Sequence, residues 1–246
     1  MPIQIFETYE ALSQRVADEI IRRLQEKPAS VLCLAAGDTP RRAYQLLSER
    51  AAKEALDFSR CSFIGLDEWV GIPPENEGSC SYFLHQNLFQ PLGIDAAQVN
   101  LFDGLARDSD AECRRMNSVV KEKGGIDLML VGVGMNGHIG FNEPGVGEGL
   151  YAHVINLDET TRSVGQKYFL QTTKLARGIT LGLRHVLESR QLIMMASGRK
   201  KADVMRKALE DPISMEVPAS IIRKHPRAVT MLDKEAASLL RQGKSA

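Results

Sequence analysis

His138 and Glu143 stand five residues apart in the run Val-Gly-Val-Gly-Met-Asn-Gly-His-Ile-Gly-Phe-Asn-Glu-Pro-Gly, residues 131 to 145. Five of these residues are glycine, which permits positive φ and close approach of the backbone to a ligand. Histidine and glutamate are the usual side chains for moving protons near neutral pH. The pair reads as an enzyme site, set against the plainer alternative of a tight turn around a hydrogen-bonded histidine. Gly132, Gly134 and Gly137 also satisfy G-x-G-x-x-G, with Asp158 near the distance at which a dinucleotide site places its ribose acid. That motif must open a helix, and Gly140, Pro144, Gly145, Gly147 and Gly149 argue against a helix here.

Three other stretches carry candidate chemistry. Asp67 follows the apolar run Ser62-Phe63-Ile64-Gly65-Leu66 and reads as a general base or as a turn cap, with Glu68 beside it and Trp69 as a packing anchor. Gly37-Asp38-Thr39-Pro40 offers backbone N–H groups, a hydroxyl and a helix start suited to phosphate, although the charge of Asp38 would repel that ligand. Ser197-Gly198-Arg199-Lys200-Lys201 sets three cations at another helix start, where cations are disfavoured unless an anion binds. Met194, Met195, His85 and His185 read as core, and His153 and His225 lack acidic or cysteine partners, so no metal site is expected.

These residues need a frame. Leu12, Val16, Ile20 and Leu24 recur at helical spacing within residues 8–27. Apolar strands are expected at 30–35, 61–66, 126–133, 179–183, 191–196 and 228–232. Helices are expected after Thr39 as N-cap with Pro40 first in the helix, around 82–89, at 200–209 and, closing the chain, at 234–241. Residues 72–79 and 145–151 read as loops. Continuous apolar strands alternating with helices predict an α/β fold whose mostly parallel sheet is covered on both faces. In such sheets ligands sit beyond the carboxyl ends of the strands, where the Gly37, Asp67, Gly134 and Ser197 loops all begin.

The 246 residues fit one domain spanning 1–246. Lys+Arg and Asp+Glu both number 31, so no net field favours nucleic acid or an anionic membrane, and any anionic ligand must be held locally. Four scattered cysteines without a C-x-x-C pair suit reduced thiols, and the start of the chain lacks a signal-peptide pattern, so a cytoplasmic protein is expected.

Taken together, Leu34-Ala35-Ala36-Gly37-Asp38-Thr39-Pro40, Leu66-Asp67-Glu68-Trp69, residues 132–145, Thr180-Leu181-Gly182 and Ser197-Gly198 through Lys201-Ala202 resemble the glucosamine-6-phosphate deaminase/isomerase family in order and spacing. The His-Ile-Gly-Phe-Asn-Glu-Pro segment, 138–144, is the most specific piece. The resemblance implies a modified Rossmann-like three-layer sandwich. It further implies conversion of glucosamine 6-phosphate to fructose 6-phosphate and ammonia without cofactor, in amino-sugar (N-acetylglucosamine) catabolism, with class labels of hydrolase and isomerase.

By resemblance Asp67 is the base moving a proton between C2 and C1, His138 opens the pyranose ring and Glu143 is its partner. Asn136 joins this catalytic group where many relatives carry aspartate, which changes the protonation network. Gly37, Asp38, Thr39, Gly137, Lys167 and Lys201 fall at substrate or phosphate contacts. Lys167 stands in for an arginine and gives charge without a bidentate fork. Residues 146–153 lack the serine and basic residues used for activation by N-acetylglucosamine 6-phosphate, so no such activation is expected. The expected partner is a small amino-sugar phosphate, with monomer and homo-oligomer both open. Gly78-Ser79-Cys80 and residues 177–183 also resemble the galactosamine-6-phosphate branch, which would yield tagatose 6-phosphate. A 6-phosphogluconolactonase would share the fold and is disfavoured by Phe141-Asn142-Glu143-Pro144; a non-catalytic sugar-phosphate sensor is disfavoured by an N-terminal 27 residues with room for only one helix and by the Asp67, His138 and Glu143 set.

Overall fold

The computed structural model describes residues 1–241. In chain order the first half forms β1 (Ile3–Phe6), α1 (Tyr9–Glu26), β2 (Val31–Leu34), α2 (Asp38–Glu54), β3 (Ser62–Ile64) and β4 (Asp67–Trp69). It continues with α3 (Cys80–Leu84), a π-helical turn (His85–Phe89), α4 (Gln90–Leu92), β5 (Val99–Asn100) and α5 (Ser109–Glu122). The second half gives β6 (Leu128–Val131), β7 (His153–Asn156), α6 (Glu159–Gly165), β8 (Arg177–Thr180) and α7 (Leu183–Glu188). Then follow β9 (Leu192–Ala196), α8 (Ala202–Glu210) and β10 (Ala228–Asp233).

Seven strands form one sheet in the order β1-β10-β9-β6-β2-β3-β5, with every pair parallel. Successive side chains of a strand face opposite ways, so Leu128 and Leu130 join one apolar layer while Met129 and Val131 join the other. The first layer is filled by Leu12, Val16 and Ile20 of α1, Tyr44 and Leu47 of α2 and the aromatic turn around Phe83 and Phe89. The second is filled by Cys113 and Met116 of α5, Val186 of α7 and Val204 and Met205 of α8. Helices on both faces of a parallel sheet make the α/β three-layer architecture. Met194 and Met195 split between the two layers, and His185 is buried, whereas His85 is only half-buried.

Several elements depart from the sequence reading. The helix after β2 begins at Asp38 with Gly37, at φ 110°, as its cap and no side-chain cap bond, so Thr39 lies inside the helix. Pro40 still falls within the first turn, where its missing N–H costs no intrahelical bond. The expected strand at 179–183 is β8 instead, and it belongs to a second, three-stranded antiparallel sheet, β4-β8-β7. β1, β4, β7 and α5 carry weak signals. β1 is an edge strand with Ile3 and Ile5 exposed, and α5 buries only a narrow stripe around Cys113, Met116 and Val120. Residues 234–239 form successive turns where a closing helix was expected. The Asp233 carboxylate accepts from Ala236 N at 2.7 Å and from Gly198 N at 3.0 Å, tying this turn to the neighbouring loop.

Among the described residues no helix is long and apolar enough to cross a membrane, and no group of three or more His, Cys, Asp or Glu is placed to hold a metal.

Candidate active site

β9, β6, β2 and β3 are four contiguous strands of the sheet, so the loops leaving their carboxyl ends lie side by side. They enclose a cavity of about 420 Å³ whose wall includes Gly37, Asp38, Thr39, Asp67, His138, Lys167 and Lys201. Gly37 and Lys201, 164 positions apart in sequence, thereby face one space.

His138 sits over Gly134, where a Cβ would lie 2.3 Å from the imidazole, so only glycine leaves room for the ring. Its Nδ1 lies 3.2 Å from Glu143 Oε2 and 3.0 Å from Thr161 Oγ1. Glu143 is buried behind the ring and accepts from Asn136 Nδ2 at 2.8 Å and from Asp158 N at 3.4 Å. Burial alone would raise the pKa of Glu143, but the hydrogen bonds from His138, Thr161 and Asn136 outweigh it and hold the carboxyl below its ordinary value. An ionised Glu143 draws the imidazole proton to Nδ1, which leaves the Nε2 lone pair for the cavity.

Asp67 begins β4 and is half-buried. Burial and the adjacent Glu68 charge push its carboxyl up to about 7, partly opposed by the Cys80 thiol. Glu68 is itself buried, with Trp69 N and Cys80 N donating to Oε1 at 2.9 Å and Ser81 N to Oε2 at 2.8 Å. Burial pushes Glu68 upward too; three aligned N–H donors nevertheless match an ionised carboxylate, so Asp67 is the partner that takes the shared proton.

Of the three cations after β9, only Lys201 turns into the cavity, while Arg199 and Lys200 stay exposed. Lys201 Nζ donates to Val133 O at 2.6 Å, and burial, with repulsion from Lys167, lowers its pKa to about 8. The Ser197 hydroxyl and Gly198 N–H are already taken by Asp233, so that loop offers an ammonium and not a backbone cradle. Lys167 Nζ donates to Asp38 Oδ2 at 2.8 Å. Trp69 packs on Phe141 with ring centroids 4.5 Å apart.

Asn136 and Glu143 stand behind the wall, and Gly137 is absent from it. Gly137 holds φ +88°, and a Cβ there would meet Val217 at 2.8 Å, so backbone shape and packing both require glycine. No helix follows Gly132, and Asp158 caps α6 by accepting from Thr160 N at 2.8 Å, which removes the dinucleotide reading. The wall also holds Thr161, Arg41, Asn87 and Tyr168, which no sequence motif marks, and Cys80 of the Gly78-Ser79-Cys80 stretch. Thr161 had one available signal, its place in the first turn after the N-cap Asp158.

Residues 6–231 match the model of the family described as glucosamine-6-phosphate isomerases/6-phosphogluconolactonase. The chain belongs to this family. It is 38% identical over 233 residues to the glucosamine-6-phosphate deaminase of Geobacillus sp. (strain WCH70), covering 94% of this chain and 93% of that one. It is 37% identical to the enzyme of the same name from Halothermothrix orenii, covering 98% and 100%. A solved monomeric glucosamine-6-phosphate deaminase superposes with a TM-score of 0.94 at 36% identity, covering 97% of this chain and 100% of that one. A 6-phosphogluconolactonase from Trypanosoma brucei, at 21% identity and a TM-score of 0.77, shares the fold. One expectation is corrected by these relatives: they are named deaminases, so the label hydrolase is replaced by deaminase/isomerase of amino-sugar metabolism.

Proposed function

We propose that this chain converts glucosamine 6-phosphate to fructose 6-phosphate with release of ammonia. The observation that carries the reading is the placement of Asp67 and His138 on the wall of one cavity that also holds Lys167 and Lys201. The deaminase relatives, similar over nearly the whole chain, support it.

His138 takes the proton of the C1 hydroxyl on Nε2 as the ring opens and returns it to the ring oxygen, while Glu143 steadies the imidazolium through Nδ1. Asp67 then removes the C2 proton of the open aldehyde and delivers it to C1 while a proton of the C2 ammonium passes to O1, leaving a C1 hydroxyl and an iminium at C2. Water replaces nitrogen there and ammonia leaves. A base with a pKa near 7 suits this transfer, because it is ionised often enough to accept and acidic enough to give the proton back. Asn136 holds Glu143 in place, and Gly37, Thr39, Lys167 and Lys201 hold the phosphate.

Ammonia release measured with glucosamine 6-phosphate and, in parallel, galactosamine 6-phosphate tests the reading, with Asp67→Asn as control. Release from the first substrate should fall about 10² to 10⁴-fold in Asp67→Asn. Faster turnover of the galactosamine epimer would reassign the substrate, release from neither would sink the proposal, and near-normal activity of Asp67→Asn would remove Asp67 as the base.

A further inference from the structure

Two side chains at one end of the cavity have no part in the proton transfers. Asp38 is the first residue of α2, and Arg41 lies one turn further on; both line the cavity wall. Arg41 Nη2 donates to Asp38 Oδ1 at 3.1 Å, and Lys167 Nζ, from across the opening, donates to Oδ2 at 2.8 Å. Each oxygen of one carboxylate is thus held by a different cation. Arg41 has its own supports: Nη1 donates to Asn87 Oδ1 at 3.1 Å, and the guanidinium carbon lies 4.7 Å from the centre of the Phe83 ring. Its fork stays aimed whether or not Asp38 remains beside it.

We propose that Arg41 and Lys167 form an anion clamp whose resting occupant is Asp38, so that the phosphate of the substrate binds by displacing this carboxylate. Arg41 is then a direct phosphate ligand, and Asp38 is the residue that sets how much affinity the clamp delivers. The inference rests on the sugar-phosphate reading above and deepens it.

The exchange is favourable on three counts. Side-chain exposures of 41, 50 and 54% for Arg41, Lys167 and Asp38 leave these ion pairs in water, where such pairs contribute little and break readily. A phosphate brings close to two negative charges and three acceptor oxygens against the one charge and two oxygens of Asp38. Lys201, on the same cavity wall, adds a third cation that Asp38 does not engage. Asp38 answers the difficulty its charge raises: it is held on both sides when the cavity lacks an anion, and its exposed side chain is free to swing to solvent when one enters.

The test is titration of inorganic phosphate by calorimetry into the full-length protein, Asp38→Asn and Arg41→Gln, together with KM and kcat for glucosamine 6-phosphate. Unchanged circular dichroism would confirm that these half-exposed substitutions leave the fold intact. Asp38→Asn should bind phosphate about 3- to 10-fold more tightly, the scale of losing one competing surface pair. Arg41→Gln should bind it at least about 10-fold more weakly, the loss of charge-assisted hydrogen bonds, with the change falling on KM more than on kcat. Unchanged or weaker binding in Asp38→Asn, unchanged binding in Arg41→Gln, or no binding of millimolar phosphate by either the parent or Asp38→Asn would each overturn the clamp. Phosphate affinities that move as stated without ammonia release from either amino-sugar phosphate would leave the clamp standing and remove the deaminase reading; ammonia release with phosphate affinities that ignore both substitutions would do the reverse.

Discussion

Asp67 and Lys201 line one cavity with pKa values of about 7 and about 8, each displaced by burial and then by a like charge, Glu68 for the first and Lys167 for the second. A raised carboxyl must lose its proton to act as a base, so kcat/KM should fall as pH drops through about 7. A lowered ammonium loses its charge early, so kcat/KM should also fall as pH rises through about 8. A pH–rate profile without the acid limb would separate Asp67 from the chemistry. Glu68→Gln removes the neighbouring negative charge, and the acid limb should move to lower pH; an unmoved limb would show that burial alone sets Asp67. Asn136 donates to Glu143 at 2.8 Å and reaches Asp158 and Thr161 at 3.3 Å. An aspartate here would gather three carboxylates around one imidazole, favouring its protonated form. Asn136→Asp should therefore retain activity with its pH profile displaced to higher pH, read from the same assay.

The loop after β6 is shaped by backbone constraints as much as by its reactive side chains. At Gly137 a Cβ would have to sit 2.8 Å from Val217 with φ at +88°. Gly137→Ala should cost about 1 to 3 kcal/mol in urea unfolding, from strain and overpacking together. At Gly134 the added Cβ would strike the His138 ring at 2.3 Å, so Gly134→Ala should lower kcat far more than it lowers stability. Equal kcat in the two variants would argue against His138 as the ring-opening group. Residues 146–153 are tied down by internal hydrogen bonds although 147–151 stay exposed: Leu150 O accepts from Arg184 N at 3.0 Å, Tyr151 OH reaches Glu188 at 3.1 Å, and His153 pairs with Thr180 across β7 and β8. Velocity curves should stay unchanged on addition of N-acetylglucosamine 6-phosphate, and a shift from sigmoidal to hyperbolic would refute this.

At the scale of the whole molecule, three histidines with lowered pKa values destabilise the fold in acid. Burial lowers His185 to about 4 and also depresses His153 and His225, so the folded state keeps them neutral while the unfolded chain protonates near pH 6.5. The histidines' contribution is complete above pH 6.5 and declines below it, whereas the raised carboxyls of Asp67 and Glu68 contribute stability that is lost as pH rises through about 7; His185 alone, 4% exposed and with Nδ1 unpartnered, accounts for about 2 kcal/mol between pH 7.5 and pH 5. The difference in urea midpoint between the parent protein and His185→Gln, compared at the two pH values, isolates this contribution; a difference that does not change with pH would remove it. The sequence by itself determined the elements whose signal is local and repeated: α1 from its four-residue spacing, the apolar strands β2, β3, β6, β9 and β10, and the glycine loop that carries His138 and Glu143. It also determined the family, because ordered motifs along most of the chain survive without any knowledge of contacts. Tertiary structure alone decided what those signals could not encode. The order β9-β6-β2-β3 makes neighbours of loops distant in sequence, and the pairing of Asp67 with Thr180 draws β4 and β8 out of the main sheet. The Asp233 carboxylate, before the final turns, accepts from Gly198 N, 35 positions away, and Asp38 finds Lys167, 129 positions away. Each of these rests on a hydrogen bond or ion pair between distant segments, whose energy exists only once the chain has brought its ends together.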